Sequence, residues 1–466
     1  MFVMLRDEAS PIDSSFIRMT NRATTSYIHI NLNHNSSMEK TLYKKATWIN
    51  NTNIYEVNLR QYTVEGSFNA FAKELPRLKD MGVGTLWFMP VTPIAQKNMK
   101  GSMGSYYACS DYTSINSEFG SLDDFKQLIK EAHSMGFKVI MDWVANHTGW
   151  DHVWTTEHPD YFKMDPATGD FKIASGMDDI IELDYTNPAL RKAMIEAMEY
   201  WVREVDIDGF RADLAFWVVL DFWKEARTHL EKIKTLFWLA EADTLDNPEY
   251  LEAFDAAYSW TWMHKTADFY KGTVDIFVLK DILHRSDMVC GNNSIPLWFT
   301  SNHDENSWNG TENEKYGDMA MLLSVFSFTW NGMPMIYSGQ ELPNLKRLDF
   351  FDKDVIAWDG NYKLHDFYKR LLRLHTNNPA LRAADASVTT HLITNTGQQN
   401  LLAFLRKREN NEVLLLLNFS NEKIVFDLQD ENLRGIYRNV FDKTETDLSA
   451  GKEIELAAWG YLVFEK

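Results

Sequence analysis

The chain reads as an α/β protein: a (β/α)8 TIM barrel, a small domain inserted after its third strand, and a C-terminal antiparallel β-sandwich domain. Three observations carry this reading. From Ile54 onward, short apolar runs alternate with longer segments of helical period, the pattern of βα units feeding a parallel sheet. Eight such cycles can be counted before about Ala384. Beyond that residue the helical period stops and short alternating runs take over, which is the pattern of an antiparallel sheet. The 466 residues are ample for the roughly 250 that such a barrel uses.

Residues 1–46 form an N-terminal extension of polar, Asn-rich sequence with one candidate strand, Ser26–Leu32, and no assigned role. Residues 47–383 supply the barrel. Its strands are expected at Ile54–Arg60, Thr85–Met89, Lys138–Val144, Gly209–Leu214, Phe237–Ala242, Ala256–Trp260, Leu297–Asp304 and Met335–Ser338. Helices lie between them. Ser121 can cap one, Asp123 and Asp124 suit its positive first turn, and Phe125, Leu128, Ile129 and Ala132 form one face before Gly136 stops it. Asn187-Pro188 marks the start of another, running to about Val205. Three connections are long: about Val91–Gly120, His147–Thr186 and Glu341–Tyr362, the second being the inserted domain at 147–186. All follow strands, so in a barrel they share the rim where chemistry occurs. Residues 384–466 form the β domain, with strands at Val388–Ile393, Leu401–Leu405, Val413–Phe419, Ile424–Leu428 and Ile454–Phe464.

Composition narrows the function. Lys and Arg number 47 against 66 Asp and Glu, and a net charge of −19 disfavours a nucleic-acid partner. The most apolar internal stretch, Met319–Trp330, is about twelve residues, short of the roughly twenty that span a bilayer, so no membrane partner is expected. Met1-Phe2-Val3-Met4-Leu5 runs at once into Arg6, Asp7 and Glu8, so no apolar core of signal-peptide length forms and a cytoplasmic protein is expected. Only Cys109 and Cys290 occur, which fits a reducing compartment. An aromatic share of 14% raises the question of a sugar-like ligand, with Trp150, Trp154 and Trp308 as candidate platforms beside their ordinary use in supporting loops.

Three acidic residues stand at the carboxyl ends of expected strands: Asp213, Glu241 and Asp304. A barrel makes these ends converge, and core packing explains such residues poorly, because burying an unpaired carboxylate costs several kcal/mol. Arg211 and Asp213, two positions apart on one strand, share a face. The guanidinium is expected to hold Asp213 ionised, while apolar Leu239 and Ala240 favour a protonated Glu241. Two carboxyls with separated proton affinities are the machinery of glycoside cleavage.

These residues lie in segments that resemble the signatures of the α-amylase family, glycoside hydrolase family 13, over about residues 47–466. The segments are Asp142-Trp143-Val144-Ala145-Asn146-His147, Gly209-Phe210-Arg211-Ala212-Asp213, Leu239-Ala240-Glu241-Ala242 and Phe299-Thr300-Ser301-Asn302-His303-Asp304. Gly104-Ser105-Tyr106-Tyr107 and the run from Gly332 to Glu341 extend the likeness. The resemblance implies that Asp213 is the nucleophile, Glu241 the acid and base, and Asp304 the carboxylate that binds sugar hydroxyls. It also implies that His147 and His303 grip the same ring, that Tyr107 is the platform beneath it, and that Asp142 orients Arg211 and Tyr107. The expected substrate is an α-1,4-linked glucan or malto-oligosaccharide, cleaved with retention, and the chemistry requires no cofactor. Asn146 resembles the family's calcium ligand, with Asp151, Asp160 or Asp179 as further oxygen donors. Against calcium, Leu214-Ala215-Phe216-Trp217 stands where many calcium-dependent relatives carry Lys-His. A spacing-based zinc site at His147, His152 and His158 matches no compact metal motif. Two other readings remain distinguishable: a glucanotransferase or isomerase of the same mechanism, which would lengthen maltotriose, and a non-catalytic carbohydrate-binding barrel. Oligomeric state is not encoded in these patterns.

Overall fold

The computed structural model describes residues 43–466 except Asn292, Asn361 and residues 394–396, so the candidate strand Ser26–Leu32 lies outside the described residues. Eight parallel strands close into a barrel, each beside the next in sequence and the last beside the first. They are β1 Ile54–Val57, β2 Thr85–Phe88, β3 Lys138–Trp143, β4 Gly209–Ala212, β5 Phe237–Asp243, β6 Ala256–Tyr258, β7 Ile295–Trp298 and β8 Met333–Tyr337. The first apolar run is divided: Leu59–Tyr62 forms a helical turn, buried like the strand before it. The seventh strand ends at Trp298, so Asp304 lies in the connection beyond it rather than on the strand. A single π-helical turn, Glu305–Asn309, begins directly after Asp304.

Strand periodicity divides the core into two layers. Ile54, Trp87, Ile140, Phe237, Leu239, Tyr258, Leu297 and Met335 fill the barrel interior. Tyr55, Val57, Leu86, Phe88, Val139, Met141, Phe210 and Trp238 belong to the core shared with the surrounding helices. Helix Leu122–Ser134 starts with the expected Ser121 cap, completed by a reciprocal bond from the Ser121 N–H to Asp124, and buries Phe125, Leu128, Ile129 and Ala132. Helix Pro188–Glu204 is capped by Asn187, whose side chain accepts the Ala189 N–H at 2.9 Å.

The inserted segment contains a three-stranded antiparallel sheet of His147–Gly149, Met177–Glu182 and Ile173–Ala174. The C-terminal domain has a six-stranded and a two-stranded antiparallel sheet. Leu402, Phe404, Val413, Leu415 and Leu417 join the barrel's outer core, while Leu401, Leu405, Leu414 and Leu416 pack with Phe426, Leu428, Ile454 and Leu456. Both faces of the larger sheet are therefore covered, which is why Val413–Leu417 is apolar without alternation. The run expected as one strand, Ile454–Phe464, is two: Lys452–Leu456 pairs in the small sheet and Tyr461–Glu465 in the large one. Ile436–Asn439 and Glu445–Asp447 are additional strands whose alternating exposure gives little apolar signal. Packing onto the barrel starts before residue 47, since the Tyr43 hydroxyl donates to the Lys224 carbonyl at 3.1 Å. Among the described residues, no helix is long and apolar enough to cross a membrane.

Candidate active site

The inward period of each strand carries a polar residue to the carboxyl end of the barrel. Ile54 is followed two residues on by Glu56, Ile140 by Asp142, Gly209 by Arg211, and Leu239 by Glu241. Gly209 is required by close approach: a Cβ there would stand 2.1 Å from the Phe237 carbonyl oxygen of the neighbouring strand. Arg211 is the hub. Its Nη1 lies 2.9 Å from both Asp142 Oδ1 and Asp213 Oδ1, and its Nη2 lies 2.9 Å from Glu241 Oε2. Nε donates to the Tyr258 hydroxyl at 3.3 Å, and the guanidinium sits 4.9 Å from the centre of the Trp87 ring. The second Asp142 oxygen accepts from Trp87 Nε1 at 3.2 Å and from the Tyr107 hydroxyl at 3.1 Å.

Tyr107 connects this cluster to a second one. Its hydroxyl is 2.7 Å from His303 Nε2, which lies 3.4 Å from Asp304 Oδ2. His303 Nδ1 meets Glu56 Oε1 at 2.5 Å. The Tyr107 ring stacks beside His303, with centroids 5.3 Å apart and planes 20° apart, and also beside Phe350. Thus Tyr107, Asp142, Arg211, Asp213, Glu241, His303 and Asp304 form one connected set. His147 stands slightly apart, at the start of the inserted domain, with Nδ1 3.2 Å from Asn146 Nδ2. If that amide donates, the neutral imidazole carries its proton on Nε2.

Local geometry separates the two central carboxyls. The Asp213 N–H donates to the Trp143 carbonyl at 2.9 Å, and Asp213 Oδ2 is buried without a hydrogen-bond partner. Leu214 then adopts a left-handed conformation, φ 41°, and its N–H donates to Glu241 Oε2 at 2.8 Å. Two sequence expectations are corrected here. Arg211 serves Glu241 as well as Asp213, so Glu241, expected in an apolar setting beside Leu239 and Ala240, meets a buried guanidinium instead. Burial, together with the Glu241 charge, pushes Asp213 well above the usual carboxylate range despite Arg211. Burial also raises Asp142 and Asp304.

The histidines differ. Burial alone would lower His303, but Asp304 and Glu56 reverse this and bring it to about 9. Burial raises Glu56, and the facing His303 opposes the rise. Burial lowers His147 to about 4 against the Glu182 charge, leaving it neutral near pH 7. Of the candidate tryptophans, Trp150 is buried and donates to the Asp178 carbonyl at 2.8 Å, and Trp154 packs against Tyr112, His152 and Tyr161. Both therefore hold the inserted domain; Trp308 lies beside Phe350 and Phe351. Glu56, Trp87, Tyr258 and Phe350 were absent from the sequence-derived set. The inward period that marks Arg211 also marks Glu56, whereas Phe350 approaches from a distant loop and has no local signal. Burial pushes Cys109 and Cys290 to about 12, so neither presents a thiolate at neutral pH.

The profile described as "Alpha amylase, catalytic domain" matches residues 33–167 and 159–354. The chain belongs to the α-amylase family. It is a glycoside hydrolase of the α-amylase type, and its C-terminal residues 393–463 match the profile "Maltogenic Amylase, C-terminal domain". A crystal structure of a noncanonic maltogenic α-amylase from Thermotoga neapolitana is 30% identical, superposes with a TM-score of 0.80, and is covered over 89% of this chain and 98% of that one. An α-amylase from Lactobacillus plantarum is 28% identical with a TM-score of 0.80, over 90% of this chain and all of its own. The maltogenic α-amylase of Bacillus acidopullulyticus is 24% identical over 86% of this chain and 70% of its length.

Proposed function

We propose that this chain cleaves α-1,4-glucosidic bonds in starch-type glucans or malto-oligosaccharides by a retaining double displacement through a β-glycosyl-aspartate. One observation carries the reading: a single buried guanidinium holds Asp213 and Glu241 side by side while Asp213 Oδ2 stays free. Three carboxyls around one cation leave excess negative charge, which favours retention of a proton by the cluster. When a glycosidic oxygen reaches Glu241, that carboxyl delivers the proton to it. The bond from C1 to the leaving sugar breaks as Asp213 Oδ2 bonds to C1. Glu241, now ionised, then takes a proton from water, whose oxygen attacks C1 and releases Asp213.

The remaining residues stabilise the sugar as it flattens toward an oxocarbenium ion. Asp304 accepts hydrogen bonds from ring hydroxyls, the His303 imidazolium holds Tyr107 and lies 3.4 Å from Asp304, and His147 offers a neutral imidazole. The Tyr107 ring, fixed by Asp142, His303 and Phe350, supports the apolar face of the ring. Proton NMR of early digestion products should show the α-anomer first. Asp213→Asn and Glu241→Gln should each reduce kcat by about 10²–10⁴-fold or more with the melting temperature retained. A β-anomer as first product, or turnover surviving both substitutions, rejects the mechanism.

A further inference from the structure

A calcium ion at Asn146 would need several oxygen ligands converging on it. The side chains present do not fit that demand. Asn146 turns its amide nitrogen to His147, and its backbone carbonyl accepts the Leu183 N–H at 3.1 Å. Asp151 accepts the backbone N–H groups of Gln96 and Lys97 at 2.9 and 3.1 Å. Asp160 accepts from Asn187 Nδ2 at 2.9 Å, and Asp179 pairs with Lys100 at 2.8 Å. Among the described residues, no group of three or more His, Cys, Asp or Glu side chains is arranged to hold a metal.

The carboxylate facing this corner is Glu182, which lies directly across the antiparallel pair from His147. Both of its oxygens are taken by ammonium groups: Lys163 at Oε1, 2.5 Å, and Lys172 at Oε2, 2.7 Å. The backbone places these lysines deliberately close. The Lys163 N–H donates to the Glu182 carbonyl, the Glu182 N–H to the Lys172 carbonyl, and the Lys172 N–H to the Lys163 carbonyl, at 2.9, 2.9 and 2.8 Å. Glu182 is only 16% exposed at its side chain and lines, with Asn146, Lys172 and Trp217, one cavity of about 450 Å³. Two ammonium groups on one carboxylate leave a net charge of +1, the same as one divalent cation on one carboxylate. A second cation arriving there would meet two positive charges.

We propose that Lys163 and Lys172 take the place of a structural divalent cation at this junction, so that the inserted domain closes and positions His147 without calcium. The test uses the whole chain and starts with wild-type protein purified in the presence of calcium. Its metal content should be well below one calcium per chain. Its melting temperature should be the same in excess EDTA and in millimolar calcium chloride. Neither readout depends on the substrate proposed above. The double variant Lys163→Met/Lys172→Met strands the Glu182 charge beside His147, so its melting temperature should fall and its KM rise severalfold with a smaller change in kcat. Lys163→Arg/Lys172→Arg should retain both values, and Lys126→Met, which removes an exposed pair with Glu204 elsewhere, should be silent. Stoichiometric calcium in the wild type, melting that EDTA lowers or calcium raises, or a methionine double variant equal to wild type in both melting and KM overturns the proposal. Should that variant fail to fold, metal content and EDTA response of the wild type decide alone.

Discussion

Glu56→Gln removes one negative charge from the side chain facing His303 while keeping an oxygen that can accept from Nδ1. His303 is surrounded by Glu56 from β1, Tyr107 from the connection after β2, Asp304 from its own segment, and the more distant Arg211 from β4. The rings of Trp87 and Phe350 cover it, with centroids 6.0 and 6.2 Å away. A carboxylate in such contact raises a neighbouring cation's pKa by about 1–3 units, and one unit is about 1.4 kcal/mol. Removing Glu56 should therefore bring His303 down from about 9 by that amount, a loss of about 1.4–4 kcal/mol for the imidazolium. Because the folded value lies above the unfolded one of about 6.5, the stabilising contribution is complete below that pH and disappears as pH rises through about 9. The assay is kcat/KM on a chromogenic malto-oligosaccharide across neutral and alkaline pH, with the His303 ring followed by NMR on histidine-labelled protein. The alkaline limb and the ring titration should move together to lower pH, chiefly through KM. An NMR titration that stays near 9 in folded Glu56→Gln protein, or an unmoved alkaline limb, refutes the role given to this pair.

Other outcomes follow from the same contacts. Burial acts to raise Glu305, but His264 and the Lys315 ammonium at 2.7 Å bring it down to about 2. Its stabilising contribution is present above the ordinary value of about 4.3 and is lost as pH falls toward about 2, so the melting temperature should decline over that interval. Lys315→Met should destabilise by about 3–5 kcal/mol in denaturant melts at neutral pH, because it leaves a buried carboxylate unpaired. Gly209→Ala should lower the melting temperature and activity together, since the added methyl meets backbone rather than a movable side chain; an alanine variant with wild-type melting would show that β4 and β5 can separate. Ser121→Ala removes a helix cap remote from the site and should cost about 1 kcal/mol of stability with kcat/KM unchanged.

The local order of residues was enough to locate the barrel strands, the capped helices and the acidic residues at the barrel rim. Those features depend on periods of two and 3.6, caps and apolar runs, which act between residues close in sequence. Strand phase alone placed Arg211 and Asp213 on one face, and it equally marked Glu56, whose neighbour Ile54 lies inside the barrel. Folding decided the electrostatics. That one guanidinium serves Asp142, Asp213 and Glu241, and that His303 is charged while His147 is neutral, depends on distances between residues far apart in the chain and on burial. The break between Leu456 and Tyr461 was likewise hidden, because the intervening Ala457-Ala458-Trp459 continues the apolar run and only the assignment of the two strands to different sheets separates them. The closure of Glu182 by Lys163 and Lys172 has the same origin: each lysine is unremarkable in sequence, and only the register of the inserted sheet brings both ammonium groups to one carboxylate.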